Sequence, residues 1–281
     1  MSGKLTILVT GASSGIGKAV AIELAHRGHT VFAAARRRDV LDDLATTYSG
    51  VVAAPLDVTD EGSIERAWSL IDIATQGTGV DVLVNAAGFA LTGPIETLSI
   101  QEVKRQFDTN VFGLLAVTHA VLPRMRARAA GRIVNISSIA GRTTFPAMGA
   151  YAASKYAVEA LSDALRMELA PLGIKVTLIE PSFVATDIVD ASSRGRVDAP
   201  TARAEGYGPL IESAEKFLAK QRKQAMSAAT LARTIADASE TRRPRTRYLA
   251  PARAKGLVTL LTRLPDRLAD AAKWRAITGA G

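Results

Sequence analysis

Residues 5–17 read Leu5-Thr-Ile-Leu-Val-Thr-Gly-Ala-Ser-Ser-Gly-Ile-Gly17. A short apolar run of strand type meets three glycines, Gly11, Gly15 and Gly17, just as a helical pattern begins. Glycine permits the tight turn and lets backbone approach a bound group closely. A strand, a turn and a helix start are what a pyrophosphate site needs. Free N–H groups and the positive helix end supply the attraction. Ser13 and Ser14 can cap the helix and donate hydrogen bonds, and Ile16 lies between the last two glycines. The spacing is not GxGxxG, so a glycine-rich strand–helix turn without a ligand is the competing reading.

Working outward, short apolar runs alternate with longer helical patterns. Strands are expected at Leu5–Val9, Thr30–Ala35, Val51–Pro55, Val80–Val84, Arg132–Ile136 and Ile174–Ile179. Helices are expected between them at 15–28, 39–48, 60–75, 99–129 and 149–171. The strands are rich in Val, Ile and Leu without alternation, which is how strands covered on both faces read. Repeated βα units with right-handed crossovers predict an α/β doubly wound parallel β-sheet flanked by helices. Ligands then bind at the C-terminal ends of the strands.

The rhythm breaks over 185–225, where Asp190–Arg196 reads as a mobile loop and 210–223 as a helix. A helix at 228–239 and a strand at Thr246–Ala250 would close the sheet. The expected organisation is one domain over 1–250, including the substrate loop 185–225, and a basic amphipathic helical extension over 251–281.

The chain has 281 residues, which suits one large domain. It has no cysteine, which excludes disulfides and thiolate chemistry, and three scattered histidines give no metal-ligand spacing. No metal is expected. No apolar segment approaches the roughly 20 residues of a spanning helix, and no signal peptide is visible, so the expectation is a cytoplasmic protein. Residues 1–193 hold 17 Lys and Arg against 19 Asp and Glu, a net of −2, whereas residues 194–281 hold 18 against 8, a net of +10. The basic character belongs to the C-terminal third. No basic run with interleaved aromatics resembles a nucleic-acid module. The tail Lys255–Ile277 is a candidate for peripheral membrane contact, although a surface or dimer-packing helix is the stronger reading.

The pattern Thr10-Gly-Ala-Ser-Ser-Gly-Ile-Gly17 resembles the TGxxxGxG loop of classical short-chain dehydrogenases/reductases, and motifs after the later strands resemble that family too. The resemblance covers about residues 4–190 and implies a single-domain Rossmann fold. The second strand ends at Ala35 where a carboxylate would select NAD, and Arg36-Arg-Arg38 comes next. Arginine forks match phosphate oxygens, so charge favours NADP, with Arg36 the first choice for the 2′-phosphate, Arg37 a weaker one and Arg38 facing solvent. The resemblance further implies that Asp57 and Val58 meet the adenine, although Asp57 also suits a plain turn. It places Asn85-Ala86-Ala87-Gly88 at the ribose, with Ala86 replacing the family's second asparagine and Asn85 open to a role within the sheet. Pro181, Val184 and Thr186 match the segment that holds the nicotinamide, with Ser182 in place of the family's glycine.

Tyr151 and Lys155 fall at i and i+4, hence on one helix face. A phenol with a pKa near ~10 is a poor acid at neutral pH, and an adjacent ammonium lowers that value. By itself the pair is a weak signal. The resemblance adds Ser138 as the group that orients the substrate oxygen and Asn110 as the support for the lysine in a proton relay. It also implies a homodimer or homotetramer packed through the helices at 99–129 and 149–171. Tyr156 is read as a packing residue. Phe89, Phe145, Met148 and Phe183, with Ser138 and Tyr151, are the expected substrate contacts, and Ile139, Thr143 and Tyr207 add to an apolar pocket.

The expected function is hydride transfer between NADP(H) and the carbonyl or secondary-alcohol carbon of a lipophilic substrate. Gly88-Phe89-Ala90 and the long C-terminus are similar to the hydroxysteroid and retinol dehydrogenase branch. A ketoacyl-thioester or general aldehyde reductase is the alternative. A non-catalytic NADP sensor is the alternative of another class, disfavoured by the intact Ser138, Tyr151 and Lys155.

Overall fold

The computed structural model describes residues 3–186, 203–252 and 254–279. The predicted loop at Asp190–Arg196 lies outside the described residues.

Seven strands form one sheet: β1 (Thr6–Thr10), β2 (Thr30–Ala35), β3 (Val51–Pro55), β4 (Val82–Asn85), β5 (Gly131–Ile136), β6 (Ile174–Pro181) and β9 (Arg247–Ala250). Their order is β3-β2-β1-β4-β5-β6-β9, and every pair is parallel. The chain winds outward from β1 to β3, then crosses back to β4 on the other side of β1. That reversal opens a crevice at the C-terminal ends of β1 and β4.

The helices on one face include α1 (Gly15–His26) and α2 (Arg38–Thr47); α3 (Glu61–Ala74) lies on the other. Alternate residues of each strand feed opposite cores. Ile7, Val9, Val31 and Val84 pack with Val20, Leu24 and Leu41. Leu8, Phe32, Leu83 and Ile133 pack with Ile71, Val117, Val121 and Met125. This two-sided burial explains the unbroken apolar runs.

The single long helix expected over 99–129 is interrupted. It comprises α4 (Ile100–Phe107), a π turn (Asp108–Phe112) and α5 (Gly113–Ala127). Ser99 and Glu102 form a capping box at its start. The π turn inserts one residue per turn, a distortion that helical periodicity scarcely registers. At Gly113 a Cβ would lie 2.7 Å from Val58 Cγ2, so glycine lets α5 press against the loop after β3.

Beyond β5, α6 (Gly149–Leu169) carries the predicted Tyr-Lys pair, two residues shorter than expected because a 3-10 turn takes over at Ala170. β7 (Val184–Ala185) pairs with β8 (Met226–Ser227), and between them lies α7 (Gly208–Lys223). Next come α8 (Ala228–Glu240), capped by Ser227, then α9 (Ala254–Leu261) and α10 (Asp266–Thr278). α8 packs on α1, and α10 packs on α7. No helix among the described residues is long and apolar enough to cross a membrane.

Candidate active site

A cleft of about 810 Å³ opens at the crevice. Its lining includes Gly11, Ser13, Ser14, Gly15, Ile16 and Gly17 from the first loop, and Arg36 and Arg37 after β2. Asp57 and Val58 come from beyond β3, Ala86, Ala87, Gly88 and Phe89 from beyond β4, and Thr186 from beyond β7. Residues with no sequence-based role also line it: Leu56, Thr59, Arg105, Asp108 and Thr109.

The glycines make the floor possible. Gly11 and Gly15 have positive φ, +69° and +54°. A Cβ at Gly11 would sit 2.8 Å from Ala87 backbone, and one at Gly17 would sit 2.4 Å from the Gly11 carbonyl oxygen. Thr10, quoted in the opening motif but given no task, is buried, and its hydroxyl accepts from the amides of Ala86 and Ala87 at 3.1 Å each. It thereby ties the glycine loop to the loop after β4. The first turn of α1 has no acidic residue, and Ser14 makes no side-chain cap. Its amides thus remain available to an anion.

All three predicted arginines are exposed. Arg37, ranked second from sequence, is the one docked on the glycine loop. Its Nη2 donates to the Ser13 carbonyl at 2.7 Å and to Ser13 Oγ at 3.2 Å. Arg38 pairs with Asp42 one turn along α2. Asp57 accepts from Thr59 N and Oγ1 at 3.0 and 2.8 Å, which is a turn-forming arrangement on the cleft wall.

One side chain with a cofactor expectation is engaged within the sheet. Asn85 is buried and donates to Thr118 Oγ1 at 3.1 Å and Asn135 Oδ1 at 2.9 Å. Its side chain links β4, α5 and β5, the role within the sheet that the sequence left open. Pro181 ends β6 and Val184 opens β7, and both are buried.

Ser138, Tyr151 and Lys155 converge beside Gly88. A Cβ at Gly88 would lie 3.9 Å from Lys155 Nζ. Ser138 Oγ accepts from Ala140 N at 3.1 Å and approaches the Pro181 carbonyl at 3.5 Å. Lys155 Nζ donates to the Ile136 carbonyl at 2.8 Å and stands 5.8 Å from the Tyr151 ring centre. All three are buried. Burial pushes the Tyr151 phenol up, opposed by a hydrogen bond with Ser138. Burial also pulls Lys155 down to about 8, partly offset by the charge of Glu159. Sequence reasoning expected a lowered phenol; here desolvation outweighs the opposing hydrogen bond with Ser138.

Asn110 sits in the π turn. Its Nδ2 donates to the Phe89 carbonyl and to Ser154 Oγ, both at 3.0 Å, and its Oδ1 accepts from Phe89 N at 3.1 Å. The side chain therefore clamps the loop beside the lysine and makes no direct bond to Lys155. Gln106, unassigned from sequence, does the same one turn earlier, donating to the Phe89 carbonyl at 2.7 Å and accepting from Leu91 N at 2.6 Å.

Met148 packs with Ala90 and Tyr151. Phe145 and Phe183 meet through a ring the sequence did not flag. Phe217 on α7 lies 6.2 Å from Phe145 and 5.9 Å from Phe183, centre to centre. No local motif marks Phe217; only the packing of α7 reveals it. Tyr207, counted as apolar lining, donates its hydroxyl to the Glu96 carboxylate. Thr143 is buried and Ile139 half-buried. Tyr156, expected to pack, is 46 % exposed.

Residues 5–196 match the family described as short chain dehydrogenase. The chain is 32 % identical over 263 residues to a probable short-chain type dehydrogenase/reductase, VdlC, of Helicobacter pylori, covering 94 % of each. It is 31 % identical over 268 residues to an NADPH-dependent 3-dehydrocapnine reductase of Ornithobacterium rhinotracheale, again 94 % of each. A short-chain dehydrogenase from Streptomyces avermitilis superposes with a TM-score of 0.79 at 33 % identity, covering 99 % of this chain and 98 % of that one.

Proposed function

The chain belongs to the short-chain dehydrogenase family, and on that premise we propose an NADP(H)-dependent oxidoreductase that interconverts a carbonyl and a secondary alcohol. The observation that carries the cofactor choice is the pair Arg36 and Arg37 on the cleft wall, with buried Ala35 where an acid would repel a 2′-phosphate. The glycine cradle that a Cβ would fill, the open first turn of α1 and these two guanidinia fit a dinucleotide phosphate. The NADPH-dependent relative supports the same choice. Such a cofactor supplies the hydride.

In the reductive direction Ser138 holds the substrate oxygen toward Tyr151, and Tyr151 gives it a proton. Lys155, an ammonium below about pH 8, stabilises the phenolate left behind. Asn110 and Gln106 keep the Phe89 loop in place, so the carbonyl meets a fixed wall. No group of three or more metal-ligating side chains occurs among the described residues.

The rings of Phe145, Phe183 and Phe217 with Met148 support a lipophilic substrate. The steroid- or retinoid-like branch rests on Gly88-Phe89-Ala90 and the long C-terminus alone; neither VdlC nor the dehydrocapnine reductase carries such a name. A screen of NADPH oxidation over steroids, retinoids, quinones, aldehydes and acyl thioesters tests the reading. Turnover with an apolar ketone is expected. NADPH binding with no oxidation by any carbonyl would favour a sensor, and preference for acyl thioesters would favour the ketoacyl reading.

Two assembly proposals accompany it. Phe112 and Met167 are exposed beside α5 and on α6, which supports a homodimer or homotetramer through those helices. Light scattering at the monomer mass would refute this. Leu257, Leu260, Leu268 and Trp274 are exposed on α9 and α10 among Lys255, Arg263, Arg267 and Arg275. Apolar side chains flanked by cations suit an anionic lipid surface. Co-sedimentation with anionic vesicles should fall in Leu257→Glu/Leu260→Glu, and undiminished binding would remove the idea.

A further inference from the structure

Glu159 stands one helical turn beyond Lys155 on α6, so the two side chains share a face. It is buried, and a buried carboxylate needs cations or donors around it. These come from distant parts of the chain. Arg247, which opens β9, donates Nε to Glu159 Oε2 at 3.1 Å and also reaches Glu180 Oε1 at 3.1 Å. Its Nη2 donates to Asp163 Oδ2 at 2.6 Å, and Arg166 pairs with Asp163. Arg142 donates to Glu180 Oε1 at 3.2 Å. Glu180, in β6, is 2 % exposed. Two buried acids thus share the Arg247 guanidinium, with Arg142 also on Glu180, and the proposed proton transfer uses neither.

Gly141 brings the turn after β5 onto this face. A Cβ there would lie 3.0 Å from Glu159 Cγ and 3.0 Å from the Lys155 carbonyl oxygen. The polar groups facing Lys155 are the Tyr151 phenol on α6, the Ile136 carbonyl on β5 and the Asn110 amide at the π turn. Its nearby counter-charge is Glu159. Facing Glu159 are Ser137 from the turn after β5, Glu180 from β6 and Arg247 from β9.

We infer that Glu159, clamped by Arg247, is the positioning residue that keeps Lys155 charged before the dinucleotide binds. The inference rests on the proposed reaction, in which Lys155 acts as an ammonium. Burial lowers Lys155 and Glu159 opposes it. Burial, with the charge of Glu180, pushes the Glu159 carboxyl up; Ser137 and Arg247 oppose that and favour the anion. Without the Glu159 charge, burial of the ammonium is less opposed, and Lys155 loses its proton at lower pH.

The test follows the ¹³Cε resonance of Lys155 through a pH titration of the cofactor-free protein, assigned by its loss in Lys155→Arg. In Glu159→Gln the midpoint should fall by roughly one pH unit, and Glu159→Asp should recover most of it. Should Glu159→Gln fail to fold, Arg247→Met reports instead: with the clamp gone Glu159 takes up a proton, and the midpoint should again fall. A midpoint equal to wild type in whichever variant folds would overturn the inference. The readout does not require turnover. A protein that oxidises NADPH with no carbonyl would refute the proposed function, whereas an unmoved lysine midpoint would refute only the role of Glu159.

Discussion

The dinucleotide end, formed by the cleft, and the proposed substrate end are built in different ways. At the dinucleotide end, each wall comes directly after a strand: residues 11–17 after β1, Arg36 and Arg37 after β2, Asp57 and Val58 near the end of β3, and 86–88 after β4. Backbone and glycine do most of the shaping there. At the proposed substrate end, side chains from remote segments meet: Phe145 before α6, Phe183 after β6 and Phe217 on α7. The first end is a set of local solutions to one electrostatic problem, phosphate binding. The second is a tertiary contact that no short stretch specifies. Substitutions at the two ends should therefore separate cofactor affinity from substrate affinity.

The largest effect is expected at Gly17. Its Cβ would meet backbone at 2.4 Å, and backbone cannot swing away as a side-chain tip can. Gly17→Val should abolish measurable NADPH binding in a fluorescence titration. Retained affinity would contradict the cradle. Next, Arg36→Ala/Arg37→Ala should weaken NADPH by roughly 10–100-fold, the range of one or two charge-assisted bonds, and leave NADH nearly unchanged. Equal losses for both cofactors would refute the 2′-phosphate assignment. Phe217→Ala should raise KM for an apolar ketone by roughly ten-fold through lost ring burial, with NADPH affinity unchanged. A matching loss of NADPH affinity would break the proposed division between the two ends.

The smallest effect concerns pH. Lys155 is lowered to about 8, so its ammonium is present below that value and lost as pH rises through it. kcat/KM for NADPH reports the free enzyme, and it should fall to about half near pH 8 and keep falling above. A flat profile to pH 9.5 would remove the lysine from the account of the reaction.

The sequence revealed most of the dinucleotide end for the same reason that its walls are local. Glycines mark positive φ and close approach, as at Gly11 and Gly17. The alternating apolar runs also carried the doubly wound sheet, including a last strand near 246–250. Less legible was whatever depends on packing across the chain. Asn85 has the right address for a ligand, yet its amide turns inward to Thr118 and Asn135. The π turn that presents Asn110 shifts the helix by a fraction of a turn, too little to disturb an apolar stripe. Arg247 lies in a strand of four residues, and its partners Glu159 and Glu180 belong to α6 and β6. No sequence window contains all three.

The proposal that Tyr151 is the proton donor is tested most directly by measuring NADPH affinity and carbonyl-dependent NADPH oxidation side by side in wild type and Tyr151→Phe. Removing one hydroxyl should leave the dissociation constant within about two-fold and lower turnover by ~10²–10⁴-fold, the usual worth of a positioned acid. Turnover equal to wild type at unchanged affinity would contradict it.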